Sequence, residues 1–206
     1  MKHFIFDIDG TLLDTETPLL LSWQKTLHDH GYDATESEVR SLMGLTIMSI
    51  VKKTGIDAPA NIDEIWQDNY AIYADTVDYF PGVLDMINKL KANPEVALGV
   101  VSSRARSEID NFFTKFGFKE IFPIMILSDD TVGHKPLPDP ILKYMELTGA
   151  TPSECIYFGD MPGDIDCAKA AGITAVLCTW NGSGYTHPNA DYTFDNVNQI
   201  IDLLDK

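Results

Sequence analysis

The chain has few cysteines, few basic residues and no long apolar run, and it contains neither internal repeats nor a low-complexity linker. Its three cysteines, Cys155, Cys167 and Cys178, are odd in number and lack zinc-type spacing. They read as buried or half-buried thiols in a reducing cytoplasm. Lysine and arginine number 15 against 31 aspartates and glutamates, a net charge of −16. Nucleic acid is a poor partner for such a chain, because phosphate backbones need clustered basic side chains. An acidic surface also repels anionic metabolites at long range, so any phosphate site must reverse the field locally. The apolar run at the start is too short for a signal peptide, and no stretch approaches the roughly 18 apolar residues of a membrane span. No membrane partner is expected.

What is present fits a soluble α/β protein. At 206 residues, 45% of them hydrophobic, the chain is long enough for a sizeable core. Short apolar runs at residues 3–7, 96–102, 123–127, 155–159 and 174–178, with a weaker one at 192–194, read as strands. Helical patterns separate them, at 106–116, 140–147, 163–171 and 197–204. This alternation predicts a Rossmann-like parallel sheet with helices on both faces. One stretch breaks it. Between Asp14 and Phe80 no strand is evident, only helical patterns at 17–30, 36–43, 47–54 and 62–76, punctuated by Gly31, Gly44 and Gly55. The expected organisation is a core of residues 1–14 and 80–206, with a helical cap, residues 15–79, inserted after the first strand and closed by the turn Pro81-Gly82.

The sharpest motif is Asp7-Ile8-Asp9-Gly10-Thr11-Leu12, directly after Phe4-Ile5-Phe6. Carboxylates at the C-terminal end of a parallel strand lie where open α/β sheets bind ligands. Gly10 lets the backbone approach a ligand closely. The Asp7 carboxylate can attack phosphorus, splitting one hard step into two, and Asp9 is near enough to move a proton. An ordinary Asp-rich turn would use the same residue types. A second carboxylate pair, Asp160 and Asp164 in Gly159-Asp160-Met161-Pro162-Gly163-Asp164, follows the run Ile156-Tyr157-Phe158. An all-oxygen cluster suits a hard cation such as Mg²⁺, although Asp164 could instead cap a helix. Ser102 and Ser103, after Val100-Val101, offer hydroxyls and N–H groups to a phosphate or cap a helix. Lys135, in His134-Lys135-Pro136-Leu137-Pro138, is a charge on a proline-stiffened loop that could serve a phosphate or simply face solvent. Arg104 and Arg106 either pair with acids of the following helix or reach the cleft. The Gly-rich stretch from Trp180 to Tyr185 reads as a loop near the site rim.

Taken together, Asp7-x-Asp9-Gly10-Thr11-Leu12, Ser102 after an apolar strand, Lys135-Pro136-x-Pro138 and Gly159-Asp160-x-x-x-Asp164 resemble the haloacid dehalogenase-like hydrolase superfamily in order and spacing. The helical insert is similar to that of its phosphoglycolate phosphatase and β-phosphoglucomutase subgroup. The resemblance implies Asp7 as nucleophile and Asp9 as general acid/base. Ser102 and Lys135 would bind the transferring phosphoryl group, helped by the backbone near Gly10 and by Ser103. Mg²⁺ would be held by Asp7, the Asp9 carbonyl and Asp160, with Asp164 either touching the ion or holding its ligands. Four carboxylates and one lysine leave excess negative charge even with Mg²⁺, so Asp9 is expected to have a raised pKa and to be protonated when substrate binds.

The implied activity is Mg²⁺-dependent hydrolysis of a small phosphorylated metabolite, phosphoglycolate- or sugar-phosphate-like, through an aspartyl phosphate. The working form would be a cytoplasmic monomer or small homo-oligomer. Dehalogenation is excluded, since dehalogenases of the superfamily lack the second aspartate of the first motif and need no Mg²⁺. The alternatives are a β-phosphoglucomutase-type phosphomutase and a non-catalytic phosphate-binding regulatory protein. Against the mutase, Thr46 and Ile47 stand after Gly44 where mutases tend to carry an arginine, and Gly159 replaces an acidic residue. Glu16, Gln24, Arg40 and Lys53 are candidates to face the substrate.

Overall fold

From His3 to Phe6 every side chain is buried, as a strand covered by helices on both faces requires. The computed structural model describes residues 1–204. After this strand, β1 (Lys2–Phe6), come β2 (Leu13–Asp14) and helices α1 (Glu16–Asp29), α2 (Glu36–Arg40), α3 (Ile47–Thr54) and α4 (Ile62–Ala71). Then follow β3 (Asp78–Tyr79), α5 (Val83–Lys91), β4 (Val96–Val101), α6 (Arg106–Phe112), α7 (Phe118–Ile121) and β5 (Ile124–Ile126). The chain continues through α8 (Asp139–Thr148), β6 (Cys155–Gly159), α9 (Pro162–Ala170), β7 (Thr174–Cys178) and β8 (Tyr192–Phe194).

Six strands form one parallel sheet in the order β5-β4-β1-β6-β7-β8. Alternate residues serve opposite faces. Phe4, Phe6, Leu98, Val100, Phe158 and Val176 face Val83, Met86, Ile87 and Leu90 of α5, together with Val197, Ile200 and Leu203 of a C-terminal 3₁₀ turn. Ile5, Val101, Tyr157, Ala175 and Leu177 face Ile141 and Tyr144 of α8 and Ile165 and Ala168 of α9. The expected parallel sheet with helices around it is therefore observed. All three cysteines are buried and unpaired. Among the described residues no helix is long and apolar enough to cross a membrane.

The helices between β2 and β3 pack largely on themselves. Trp23 of α1 stacks on Trp66 of α4 with ring centroids 5.5 Å apart, and Asn69 donates to the buried Thr26 hydroxyl at 2.9 Å. Thr35 and Thr46 cap α2 and α3, each accepting a backbone N–H. The apolar side chains of this segment are continuous with the α5 face of the sheet.

Several boundaries differ from the sequence expectation. The pattern at 62–76 breaks after Ala71 and resumes as a 3₁₀ turn, Ala74–Thr76, and 106–116 breaks likewise at Phe112. The pattern at 36–43 ends at Arg40, and the C-terminal stretch is 3₁₀ rather than α-helical. A two-stranded antiparallel ribbon, Leu13 opposite Tyr79 and Asp14 opposite Asp78, is a correction to the strand-free reading up to Phe80. Two-residue pairings carry no periodicity that a sequence can display. Helix α5 lies outside the expected elements, although Val83, Met86, Ile87 and Leu90 fall at helical spacing.

Phe158 is fully buried and lies against two aromatic neighbours, with ring centroids 5.6 Å from Phe4 and 4.8 Å from Phe6. Phe158→Ala should destabilise the fold by about 3–5 kcal/mol, read as a lower urea midpoint. A midpoint unchanged from wild type would show that this face of the sheet tolerates a void.

Candidate active site

Because β4, β1 and β6 are adjacent and parallel, the residues that follow them emerge along one edge of the sheet. Asp7 follows β1, Ser102 follows β4 and Asp160 follows β6, the edge at which open α/β sheets collect their ligand groups. The Asp7 N–H is tied to the Phe158 carbonyl at 2.9 Å. Two glycines clear the space that the carboxylates occupy. A Cβ on Gly10, whose φ is +71°, would overlap the Asp160 carboxylate, and one on Gly159 would overlap Asp164. Both motif glycines are thus explained by close approach.

Carboxylate oxygens of Asp7, Asp160 and Asp164 all lie within 4.8 Å of one another, and all three residues are buried. Lys135 enters from the segment between β5 and α8. Its Nζ lies 3.1 Å from Asp7 Oδ1 and 2.6 Å from Asp164 Oδ1, and it donates to the Tyr157 hydroxyl at 3.3 Å. That hydroxyl in turn donates to the Val101 carbonyl at 2.8 Å. Asp164 also accepts the Met161 N–H at 3.0 Å, so it caps α9 and binds the lysine together. Asn181 donates to Asp160 Oδ2 at 2.8 Å, while Asp160 Oδ1 is buried without a hydrogen-bond partner. Asp7 Oδ1 likewise has no well-directed hydrogen bond, only the Lys135 ammonium beside it.

Burial dominates the electrostatics. It pushes the Asp7 carboxyl up to about 7, with Lys135 opposing and Asp164 and Asp9 adding repulsion. Asp160 is raised well above the usual carboxylate range, first by burial and then by Asp164 and Asp7. Burial works against the Lys135 ammonium, but Asp164 and Asp7 outweigh it and raise its pKa. One lysine does not neutralise three buried carboxylates. Oxygen donors in excess, two of them lacking directed partners, fit a hard divalent cation.

Asp9 behaves differently. Arg104 Nε donates to its Oδ2 at 2.9 Å and Nη2 to its Oδ1 at 2.7 Å, a two-pronged contact. Burial alone would raise the Asp9 pKa, but the guanidinium overrides it and holds the carboxyl below its ordinary value. This corrects the raised pKa expected from sequence, whose charge count omitted Arg104.

The remaining expected residues are distributed as follows. A cavity of about 130 Å³ is lined by Asp7, Asp9, Gly10, Ser103, Lys135 and Asp160. Ser102 is buried behind it, its hydroxyl accepting the Arg104 N–H at 3.3 Å, and Ser103 donates its hydroxyl to the Gly44 carbonyl at 2.8 Å. Asn181, Ser183 and Tyr185 bring the Gly-rich loop to the cavity wall. Glu16 and Arg40 also line it, paired with each other, and Arg40 is paired with Glu36 as well. Lys53 instead donates to the Ser41 carbonyl outside that wall. Sequence reasoning missed Tyr157; it placed Asn181 only within a rim loop and Glu108 only among the acids of the helix after Arg104, without singling either out. The one signal for the last was its position four residues after Arg104, with which it pairs at 2.9 Å.

Comparison with known proteins gives the family and a likeness of fold. The family model for haloacid dehalogenase-like hydrolases matches residues 4–178. Pyrophosphatase PpaX of Oceanobacillus iheyensis is 26% identical, over 99% of this chain and 97% of its own. Phosphoglycolate phosphatase of Aquifex aeolicus is 25% identical, over 100% and 97% respectively. A solved structure from Lactobacillus plantarum, 23% identical, superposes with a TM-score of 0.85 over 98% of this chain and 100% of that one, a likeness of fold.

The crowded carboxylates make a direct thermodynamic prediction. A divalent cation binding the folded state alone should stabilise it by about 2.7 kcal/mol at a hundred times its dissociation constant. Thermal unfolding with Mg²⁺ or with EDTA measures this. The upward shift should vanish in Asp160→Asn, and an equal shift in that variant would place the ion elsewhere.

Proposed function

The chain belongs to the haloacid dehalogenase-like hydrolase family, and on that premise we propose that it is a Mg²⁺-dependent phosphatase acting on a small phosphorylated metabolite through an aspartyl phosphate on Asp7. The observation that carries this reading is the buried Asp7 carboxylate at a strand end, open to a cavity and flanked by Lys135, Asp160 and Asp164. Asp7 attacks phosphorus while the bond to the leaving oxygen breaks, and Asp9 gives that oxygen a proton. Water then attacks the aspartyl phosphate, its proton passing to Asp9, and the bond to Asp7 breaks to release phosphate.

In this reading Lys135, Ser102, Ser103 and the backbone at Gly10 hold the phosphoryl oxygens. Asp7, Asp160, Asp164 and the Asp9 carbonyl would hold Mg²⁺, whose charge offsets that of the phosphoryl group. Residues 1–14 and 80–206 form the catalytic core. Residues 15–79 act as a cap that restricts water access and meets the leaving group. The two relatives named above act on pyrophosphate and phosphoglycolate by name, and both compounds belong in the substrate panel beside sugar phosphates. Hydrolysis is favoured over mutase chemistry because, among the described residues lining the cavity, the basic ones are Lys135 and Arg40, each already paired with two carboxylates. No free cation there awaits a second phosphate.

Initial rates over that panel, with Mg²⁺ or with EDTA, test the proposal. Turnover should need Mg²⁺ and should fall on the order of 10⁴-fold or more in Asp7→Asn. Turnover that survives either change would sink the reading.

A further inference from the structure

Arg104 is the most heavily committed cation in the molecule's centre, and neither the nucleophile, the metal set nor the phosphate cradle uses it. It is 4% exposed. One edge of its guanidinium grips both oxygens of Asp9, at 2.9 and 2.7 Å. Nη1 donates to Glu108 at 2.9 Å, and Nη2 also reaches the Tyr70 hydroxyl at 3.2 Å. Three aromatic rings lie against it, with Cζ 4.6 Å from the Tyr70 centroid, 4.9 Å from Phe113 and 5.4 Å from Trp66. Tyr70 and Trp66 belong to α4, and Glu108 to α6. The backbone is fixed too, since the Arg104 N–H donates to Ser102 Oγ and its carbonyl accepts the Ser128 N–H at 2.9 Å.

A carboxylate held by two parallel N–H bonds has its plane and position set by the guanidinium. Arg104 in turn is contacted on its remaining sides by rings from α4 and by a second carboxylate. The placement of α4 is thereby carried to the side chain beside the nucleophile.

We propose that Arg104 is the positioning residue for Asp9, holding its carboxylate where it takes the proton of the attacking water and linking that position to the packing of the helical segment. The inference rests on the aspartyl-phosphate reading above. Two-pronged pairing suits the ionised form of Asp9, the form present after it has protonated the leaving oxygen. In the second step the water oxygen bonds to phosphorus, the water proton passes to Asp9 and the bond from Asp7 to phosphorus breaks. Loss of Arg104 should therefore slow breakdown of the aspartyl phosphate most.

The test uses p-nitrophenyl phosphate, whose nitrophenolate leaves without needing a proton, so the first step does not require Asp9. Stopped-flow absorbance follows Arg104→Met and Arg104→Lys in the full-length protein with Mg²⁺. Each should release about one nitrophenolate per site in a fast burst, then turn over on the order of a hundred-fold more slowly than wild type. KM should stay within about threefold once corrected for the slower step, and acid quenching should trap phosphate on Asp7. With an alkyl phosphate, whose leaving oxygen needs its proton, formation should slow as well, so acid quenching should trap less phosphate on Asp7 than with p-nitrophenyl phosphate. Lysine keeps the charge but not the fork, so Arg104→Lys decides the matter if the methionine variant does not fold. Burst and steady state falling together in folded Arg104→Lys, or neither falling, would overturn the proposal. Wild-type protein without Asp7-dependent turnover would instead overturn the phosphatase reading itself.

Discussion

The constraint on which the rest of this structure depends is the burial of like charges. Asp7, Asp160 and Asp164 are held with oxygens within 4.8 Å and almost no exposure, an arrangement that repulsion and desolvation both oppose. Lys135 offsets part of that cost by contacting two of the three. Tyr157 and Asn181 supply further polar contacts. Oxygens left without directed partners mark where an external cation completes the balance. A fold that did not have to bear this cost would bury apolar residues at the same positions.

The sheet pays that cost through rigidity. Strands β4, β1 and β6 are flanked by strands on both sides and covered on both faces, so their C-terminal ends are fixed relative to one another. Phe4, Phe6 and Phe158 lie in contact immediately behind Asp7 and Asp160. Carboxylates on mobile loops would move apart. Asp7 and Asp160 on these strand ends and Asp164 in the first turn of α9 remain close, and Gly10 and Gly159 leave room for the Asp160 and Asp164 carboxylates.

A second buried charge network stands beside the first. Asp9, Arg104 and Glu108 form a chain of ion pairs enclosed by Trp66, Tyr70 and Phe113. Its effect on Asp9 is opposite to the effect of burial on Asp7, two residues away: one carboxyl is pushed up to about 7 and the other is held below its ordinary value. Two neighbouring carboxylates with separated proton affinities can take different parts in one reaction.

Much of this was legible in the chain. The six sheet strands read as apolar runs, and the Asp and Gly spacing after β1 and β6 pointed to an anion- and cation-binding edge. Local pattern suffices there, because strand burial and turn chemistry act between near neighbours in sequence. Helix ends at Ala71 and Phe112, and the ribbon of β2 with β3, were not legible, since a pairing between residues 13 and 79 leaves no period to read. The two-pronged contact of Arg104 with Asp9 spans 95 positions. Sequence showed a basic residue after Ser103 but not which carboxylate would face it. The sequence by itself determined the parallel sheet and the residue types gathered at its edge. Only the tertiary structure decided which charges pair and which carboxyl is pushed up and which held down, because those depend on distance and burial between groups far apart in the chain.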